Sequence, residues 1–271
     1  MKIIKNEKGQ AVAPKTIQFG KEAFEKINHT EIRWMGSASI MINSRGTNIM
    51  IDPLLEGFDM PLLIDMPILP QDIPCLDGIL ITHIDNDHFS RMTCIDVLKV
   101  CKSYHATQFV AKEMKTEGIE GIGHDIGEEF SINDVKIKLT HAKHNWQNGS
   151  SKYNYREWKE EDYCGYWLKT KDGTIWLPGD SQLLEEHLHM PDPDVILFDF
   201  ADNEWHITLD GAIKLANTYP NADLICIHWG SVDAPTMTPF NGNPEDLVER
   251  VINPERIRVL APGEVFVIEK K

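Results

Sequence analysis

Along this chain, short apolar runs keep ending on a histidine or an aspartate. DGILITH ends on His83, KLTHAKH carries His141 and His144, IWLPGD ends on Asp180, and LICIHWG presents His228. An apolar run of about 4 to 8 residues between turn signals reads as a strand buried on both faces. One such strand ending in histidine is an ordinary core or edge feature, but its recurrence points to ligands. A chain of 271 residues can form one large domain that buries roughly 75% of the surface its unfolded form exposes. No structural metal or disulfide is then needed to hold the core, so a metal here works rather than staples.

The rest of the pattern sets the fold class. Residues 1–30 are lysine-rich, with a short helical pattern at KEAFEKI, and read as an N-terminal extension packed on a main domain of residues 31–271. EIRWMG, ASIMINS and TNIMIDPLL, punctuated by Gly36 and an SRG turn, predict a β-meander. Pro53, Pro61, Pro67, Pro70 and Pro74 forbid a long helix or a central strand over residues 53–77 and predict an ordered loop. Its Leu62, Leu63, Ile64 and Ile68 either form a substrate lip or pack against the body. MTCIDVLKVCK, SQLLEEHLHM, TLDGAIKLANTYP and NPEDLVERVIN are spaced as helices. VKIKLTHAKH, GYWLKTK, TIWLPGD, VILFDF and DLICIHWG are spaced as strands, and PERIRVLAPGEVFVIEK closes with short ones. This order predicts an α/β chain with two sheets packed together and helices outside.

The net charge of −15 and a pI near 5.1 repel phosphate backbones and anionic membranes, which argues against nucleic acid and membrane partners. The N-terminus has no signal-like apolar stretch, and no run approaches the roughly 18 to 20 apolar residues of a membrane span. The expected location is cytoplasmic. Cys75, Cys94, Cys101, Cys164 and Cys226 include no CxxC pair, which suits a reducing compartment.

The densest group of ligand-type side chains is ITHIDNDHFS, with His83, Asp85, Asp87 and His88. A tight turn after a strand can fold these imidazoles and carboxylates around a cation, and the mixture suits zinc, manganese or iron. A solvated Asp/Asn-rich loop is the plainer alternative.

In these motifs the chain resembles the metallo-β-lactamase superfamily, and within it the UlaG-like branch of L-ascorbate-6-phosphate lactonases. RWMGSASIMINSRGTNIMIDP is similar to that branch's opening, CLDGILITHIDNDHF to its signature loop, GTIWLPGDS to its glycine-aspartate strand end and CIHWG to its last histidine. The resemblance runs from about Ile32 to the C-terminus and implies a four-layer αββα sandwich. It also implies two divalent metal ions, manganese or zinc with iron possible. His83, Asp85 and a histidine of the 141–144 stretch would hold the first. Asp87, His88 and His228 would hold the second, with Asp180 bridging. The family's small residue two places before the ligand matches Ala142 and favours His144 over His141. The family pattern HxHxDH departs here, because Asp85 stands at the second histidine. A hard anionic oxygen there shifts the preference toward manganese or iron relative to an all-histidine site. Asp52 is expected to orient a ligand histidine rather than bind metal.

The implied activity is hydrolysis of a small-molecule lactone, ester or phosphoester, a sugar-phosphate lactone among them, by hydroxide formed from a water between the metals, with Asp87 and Asp180 as catalytic carboxylates. Flavodiiron proteins resemble the loop with a carboxylate in the same place, so a di-iron oxidoreductase is the alternative, and a non-catalytic binding protein on the same fold is a third reading. Trp205 and His206 lie where relatives place pocket residues, although a structural tryptophan and a surface histidine fit equally. Arg156, with Lys152 and Lys159, would meet an anionic substrate or else form a solvated charge run. Lactonase relatives assemble as homo-oligomers, which is the expectation here.

Overall fold

The computed structural model describes residues 2–269. Near the N-terminus β1 (Ile4–Lys5) pairs with β2 (Ala11–Val12), and the segment after this hairpin is tied to the body by backbone bonds. Ala13 N–H donates to Gly230 O, Ile17 N–H to Pro262 O and Phe19 N–H to Pro67 O. The helical pattern expected at KEAFEKI is only a 3₁₀ turn at Lys21–Phe24.

The expected meander is β3 (Thr30–Gly36), β4 (Ser39–Ser44) and β5 (Thr47–Ile51), and β6 (Gly78–Leu80), β7 (Tyr104–Thr107) and β8 (Gly121–His124) follow in parallel. A second sheet carries β9 (Glu129–Ile132), β10 (Val135–His141), β11 (Cys164–Lys169) and β12 (Thr174–Leu177) as antiparallel neighbours. It continues in parallel with β13 (Val195–Phe198), β14 (Asp223–Cys226) and β15 (Ile257–Arg258). β16 (Val265–Val267) returns to flank β3, so both sheets are seven-stranded and mixed.

Period-2 alternation explains why the first sheet is buried on both faces. Ile32, Trp34, Ile40, Ile42, Ile49 and Ile51 point into the core between the sheets, against Leu139, Tyr166, Trp176 and Phe198. Met35, Met41, Met50, Ile79 and Tyr104 point outward under α1 (Arg91–Asp96) and α2 (Gln108–Thr116). On the far side α3 (Leu209–Thr218) covers the second sheet through Ala212, Leu215 and Ala216. Helix, sheet, sheet, helix is the four-layer αββα sandwich.

Several expected helices are shorter or absent. MTCIDVLKVCK is helical only at its start, where Ser90 caps α1 by accepting Thr93 N–H. NPEDLVERVIN contributes only α4 (Glu245–Val248). SQLLEEHLHM forms no α-helix: Lys143 N–H donates to Ser181 Oγ and Gln182 N–H to Lys143 O. These bonds hold its first residues extended, leaving a 3₁₀ turn at Glu185–Leu188.

In the proline-rich loop Ile68 is buried in the outer core, Leu62 packs beside Val232 and Phe240, and Ile64 lies against the central core. Packing, not a lip, is what those side chains do. Among the described residues no helix is long and apolar enough to cross a membrane.

Candidate metal centre

The parallel strands end on one side of the sandwich, the place where open α/β sheets present ligands. Asp52 follows β5, His83 follows β6, Asp180 follows β12, Asp199 follows β13 and His228 follows β14. Two glycines let the Asp180 turn form. Gly179 has φ +76° and a side chain there would meet Cys164 O at 2.6 Å, while one at Gly165 would meet Leu177 O at 2.4 Å.

Each imidazole at this edge is pinned through Nδ1. Asp52 accepts Thr82 N–H at 2.8 Å, Thr82 Oγ1–H at 2.6 Å and His88 Nδ1–H at 2.8 Å. Thr82 Oγ1 accepts in turn from His83 Nδ1–H at 3.0 Å. His144 Nδ1–H donates to Trp205 O at 2.8 Å, His228 Nδ1–H to Pro239 O at 3.1 Å, and His206 Nδ1–H to Asp199 at 2.6 Å. Asp52 and His228 sit at φ 46° and 60°, backbone that costs about 1–3 kcal/mol and persists where surrounding contacts enforce it.

With Nδ1 occupied, Nε2 of each ring is left to face the carboxylates at the centre. Asp180 Oδ2 lies 3.1 Å from His88 Nε2, 3.7 Å from those of His206 and His228, and 3.9 Å from that of His144. Asp87 Oδ2 is 3.2 Å from His228 Nε2 and 3.5 Å from His88 Nε2, and Asp85 Oδ2 is 3.4 Å from His83 Nε2. Nε2 of both His83 and His88 is buried with no hydrogen-bond partner. A buried orphan of this kind costs about 1–3 kcal/mol, and imidazole Nε2 atoms set among carboxylates suit a divalent ion that displaces their protons. Ligand atoms of His83, Asp85 and His144 lie within 4.8 Å of one another, as do those of Asp87, His88 and His228, and those of His83, His88 and Asp180. The residues present therefore fit a metal centre of two adjoining ligand groups with Asp180 at their junction.

The electrostatics couple metal binding to proton release. Burial opposes every charged form here, and at His83 it wins, lowering the ring below its ordinary value. At His88 the surrounding Asp180, Asp87 and Asp52 outweigh burial and raise the ring well above that value, and at His228 Asp180 and Asp87 raise it to about 9. Burial likewise opposes ionised Asp85 and Asp180, yet adjacent histidines hold both well below the usual carboxylate range.

Asp85 is held as firmly as the histidines. Trp146 Nε1–H donates to its Oδ2 at 2.8 Å and Gln147 Nε2–H to its Oδ1 at 2.7 Å, while Tyr163 O–H fixes the Gln147 amide by donating to Oε1 at 2.5 Å. Gln147, Tyr163, Asp199 and the carbonyls of Trp205 and Pro239 escaped sequence reasoning. Asp199 could have been found, since VILFDF is another apolar strand that ends on a carboxylate, whereas nothing local marks Gln147.

His141 lies outside the centre, paired with Glu160 at 2.9 Å and with Glu186. Trp205 and His206 line the cleft above it. Arg156 does not: its guanidinium is bonded to Asp162 at 2.7 Å and lies over Phe109 and Trp158. Cys94, Cys164 and Cys226 are buried, and burial pushes their thiols up, so none is a nucleophile at neutral pH.

A relative from Pyrococcus furiosus described as a metal-dependent hydrolase is 26% identical over 244 residues, covering 86% of this chain and 97% of its own. A solved isothiocyanate hydrolase from Delia radicum gut bacteria shares the fold with a TM-score of 0.71 at 18% identity, over 89% of this chain and 100% of that one. A metallo-hydrolase of Ignicoccus hospitalis does so with a TM-score of 0.69 at 18% identity, over 90% and 100%. The family model for the beta-lactamase superfamily domain matches residues 47–229, the span from β5 through His228 that carries all the proposed ligands, and the chain belongs to that superfamily.

Proposed function

We propose that this protein is a metal-dependent hydrolase that opens a lactone, ester or phosphoester of a small molecule. The observation that carries this reading is the convergence of histidine Nε2 atoms on Asp180, with those of His83 and His88 buried and unpartnered. In this reading His83, Asp85 and His144 would hold one divalent ion and Asp87, His88 and His228 a second, with Asp180 in reach of both groups. Bound manganese or zinc would supply Lewis acidity and a water acidified toward a pKa of about 7.

The chain's own residues do the rest. Asp52, Trp205 O and Pro239 O orient the ligand rings. Asp87 accepts a proton through its carboxylate. His206, whose Nδ1–H is held by Asp199, turns Nε2 toward the centre and stands there as a polar wall of the site. Kinship with the lactonase branch and assembly as a homo-oligomer are parts of this proposal that rest on motif resemblance. One feature favours a second reading: the Asp85 carboxylate in the first ligand group also suits a di-iron oxidoreductase.

The test is metal content by mass spectrometry on protein purified without chelator, together with a pH-stat screen of lactones, esters and phosphoesters. The hydrolase reading expects about two equivalents of manganese or zinc and an activity abolished by chelator and by His228→Ala. Iron with a visible response to peroxide and no hydrolysis would replace it with the redox reading. Ligand binding indifferent to metal removal would replace both with a binding protein.

A further inference from the structure

The cleft over the metal centre has a volume of about 560 Å³, within the range of pockets that enclose a small organic molecule. Asp85, Asp87, His144, Asp180 and His228 of the ligand set lie in its lining, and the rest of the lining is largely aromatic. On one side Trp146 meets Tyr153 edge-on at 5.1 Å and Tyr155 meets Trp158 at 5.9 Å. On the other Phe240 stacks on His228 at 5.3 Å and meets Phe58 at 6.4 Å. Met60 and Met237 complete that wall, and thioethers pack well against ring edges. Tyr155 is 70% exposed and Met237 42% exposed, so both present apolar surface that a guest would cover.

The charges near this cleft do not suit a phosphorylated guest. Arg156 is bonded to Asp162 outside the lining, and Lys159 pairs with Glu161. Arg91 reaches the lining, but its Nε is bonded to Glu117 at 2.9 Å. Lys152 lies over the Tyr153 ring, with Asp59 as its neighbouring carboxylate. Among the described residues of the lining away from the ligand set, then, no cluster of cations awaits a phosphate, whereas two aromatic groups border the cleft and suit a ring.

We infer that the substrate is an arylalkyl ester or lactone, with its acyl carbon at the metal centre and its ring between the Trp146/Tyr153/Tyr155 wall and the Phe58/Phe240 wall. This rests on the hydrolase reading above. In the reaction water oxygen bonds to the acyl carbon and the acyl C–O bond breaks; one water proton passes to the departing alkoxide oxygen and the other is released to solvent, giving a carboxylate, an alcohol and a proton with no redox change.

The test uses the protein as purified, with ethyl 3-phenylpropionate, ethyl acetate and a phosphorylated sugar lactone compared by pH-stat, and 3-phenylpropionate, acetate and glucose 6-phosphate titrated by calorimetry. The expected result is a kcat/KM for the phenylpropionate ester at least about 100-fold above that for the acetate ester, a discrimination that hydrophobic contacts can supply. Tyr155→Ala combined with Phe58→Ala should shrink that ratio at least about tenfold, chiefly through KM. Preference for the phosphorylated lactone, or equal rates on both ethyl esters, would overturn the inference. If no ester is hydrolysed but 3-phenylpropionate binds more tightly than acetate and glucose 6-phosphate, the hydrolase reading fails while the aromatic cleft stands. Absence of both hydrolysis and binding overturns the inference as well.

Discussion

Asp52→Asn changes one atom of a side chain that touches no proposed substrate, and it should nonetheless weaken metal binding. Asp52 is fully buried and accepts three hydrogen bonds, from Thr82 N–H, Thr82 Oγ1–H and His88 Nδ1–H. Asparagine tolerates the φ of 46° as aspartate does, so the backbone is unaffected. If its amide oxygen keeps the bond to Thr82 N–H, its NH₂ faces His88 Nδ1 and drives the proton to Nε2, filling the lone pair that faces Asp180. If the amide flips, NH₂ opposes Thr82 N–H, a donor against a donor. The first outcome is expected, because it keeps the buried backbone bond. Loss of such an orienting carboxylate typically costs 10–100-fold in metal affinity, or about 1.4–2.8 kcal/mol. Asp52→Ala, by contrast, orphans up to three buried donors at about 1–3 kcal/mol each, a sum comparable with a whole domain's stability of about 5–15 kcal/mol. It should fold poorly. The assay is competition with a chromophoric chelator for zinc and manganese, alongside nitrogen NMR of the His88 tautomer. Metal affinity within about twofold of wild type in a folded Asn variant, a change of only ~0.4 kcal/mol, would refute the reasoning.

Two further tests follow from the same structure. Gln147→Leu removes the donor to Asp85 Oδ1 and leaves Tyr163 O–H unpaired, so one metal equivalent should weaken about tenfold while the other keeps its affinity. Calorimetric titration resolves the two steps, and equal weakening of both would contradict the two-group arrangement. His105 packs on Phe130, with Nδ1 2.9 Å from His124 Nε2, and burial together with His124 lowers it to about 4. A depressed histidine favours the neutral ring, so its contribution to stability is present above the ordinary value of 6.5 and is lost as pH falls toward 4. The wild-type melting temperature should fall across that window more steeply than that of His105→Gln, and parallel curves would show that the pair does not matter.

What the amino-acid pattern made legible was the end of each strand. In DGILITH or DLICIHWG the same few residues encode both burial and the polar group that closes the strand, so fold and ligand are read together. Directions taken inside loops are not encoded in this way. Arg156 looks like a substrate cation in a polar loop, and only the fold brings Asp162 and the Phe109 ring to its guanidinium. SQLLEEHLHM has helical spacing, yet Ser181 and Gln182 bond to Lys143 beside the candidate ligands Asp180 and His144, and those contacts outweigh a modest local propensity. The helix Gln108–Thr116 is the opposite case: Thr107 caps it and Gly118 follows it at φ 78°, signals that the local sequence itself carries. Asp85 joins the two kinds. Its place after a buried strand marks it as a ligand candidate, but its readiness as a carboxylate depends on Trp146 and Gln147, about 60 residues away. A histidine at position 85 would set its own ring N–H against those donors. The departure from the family's histidine is therefore supported by the loop around it, and Asp85→His should lose metal affinity unless Gln147 is changed with it.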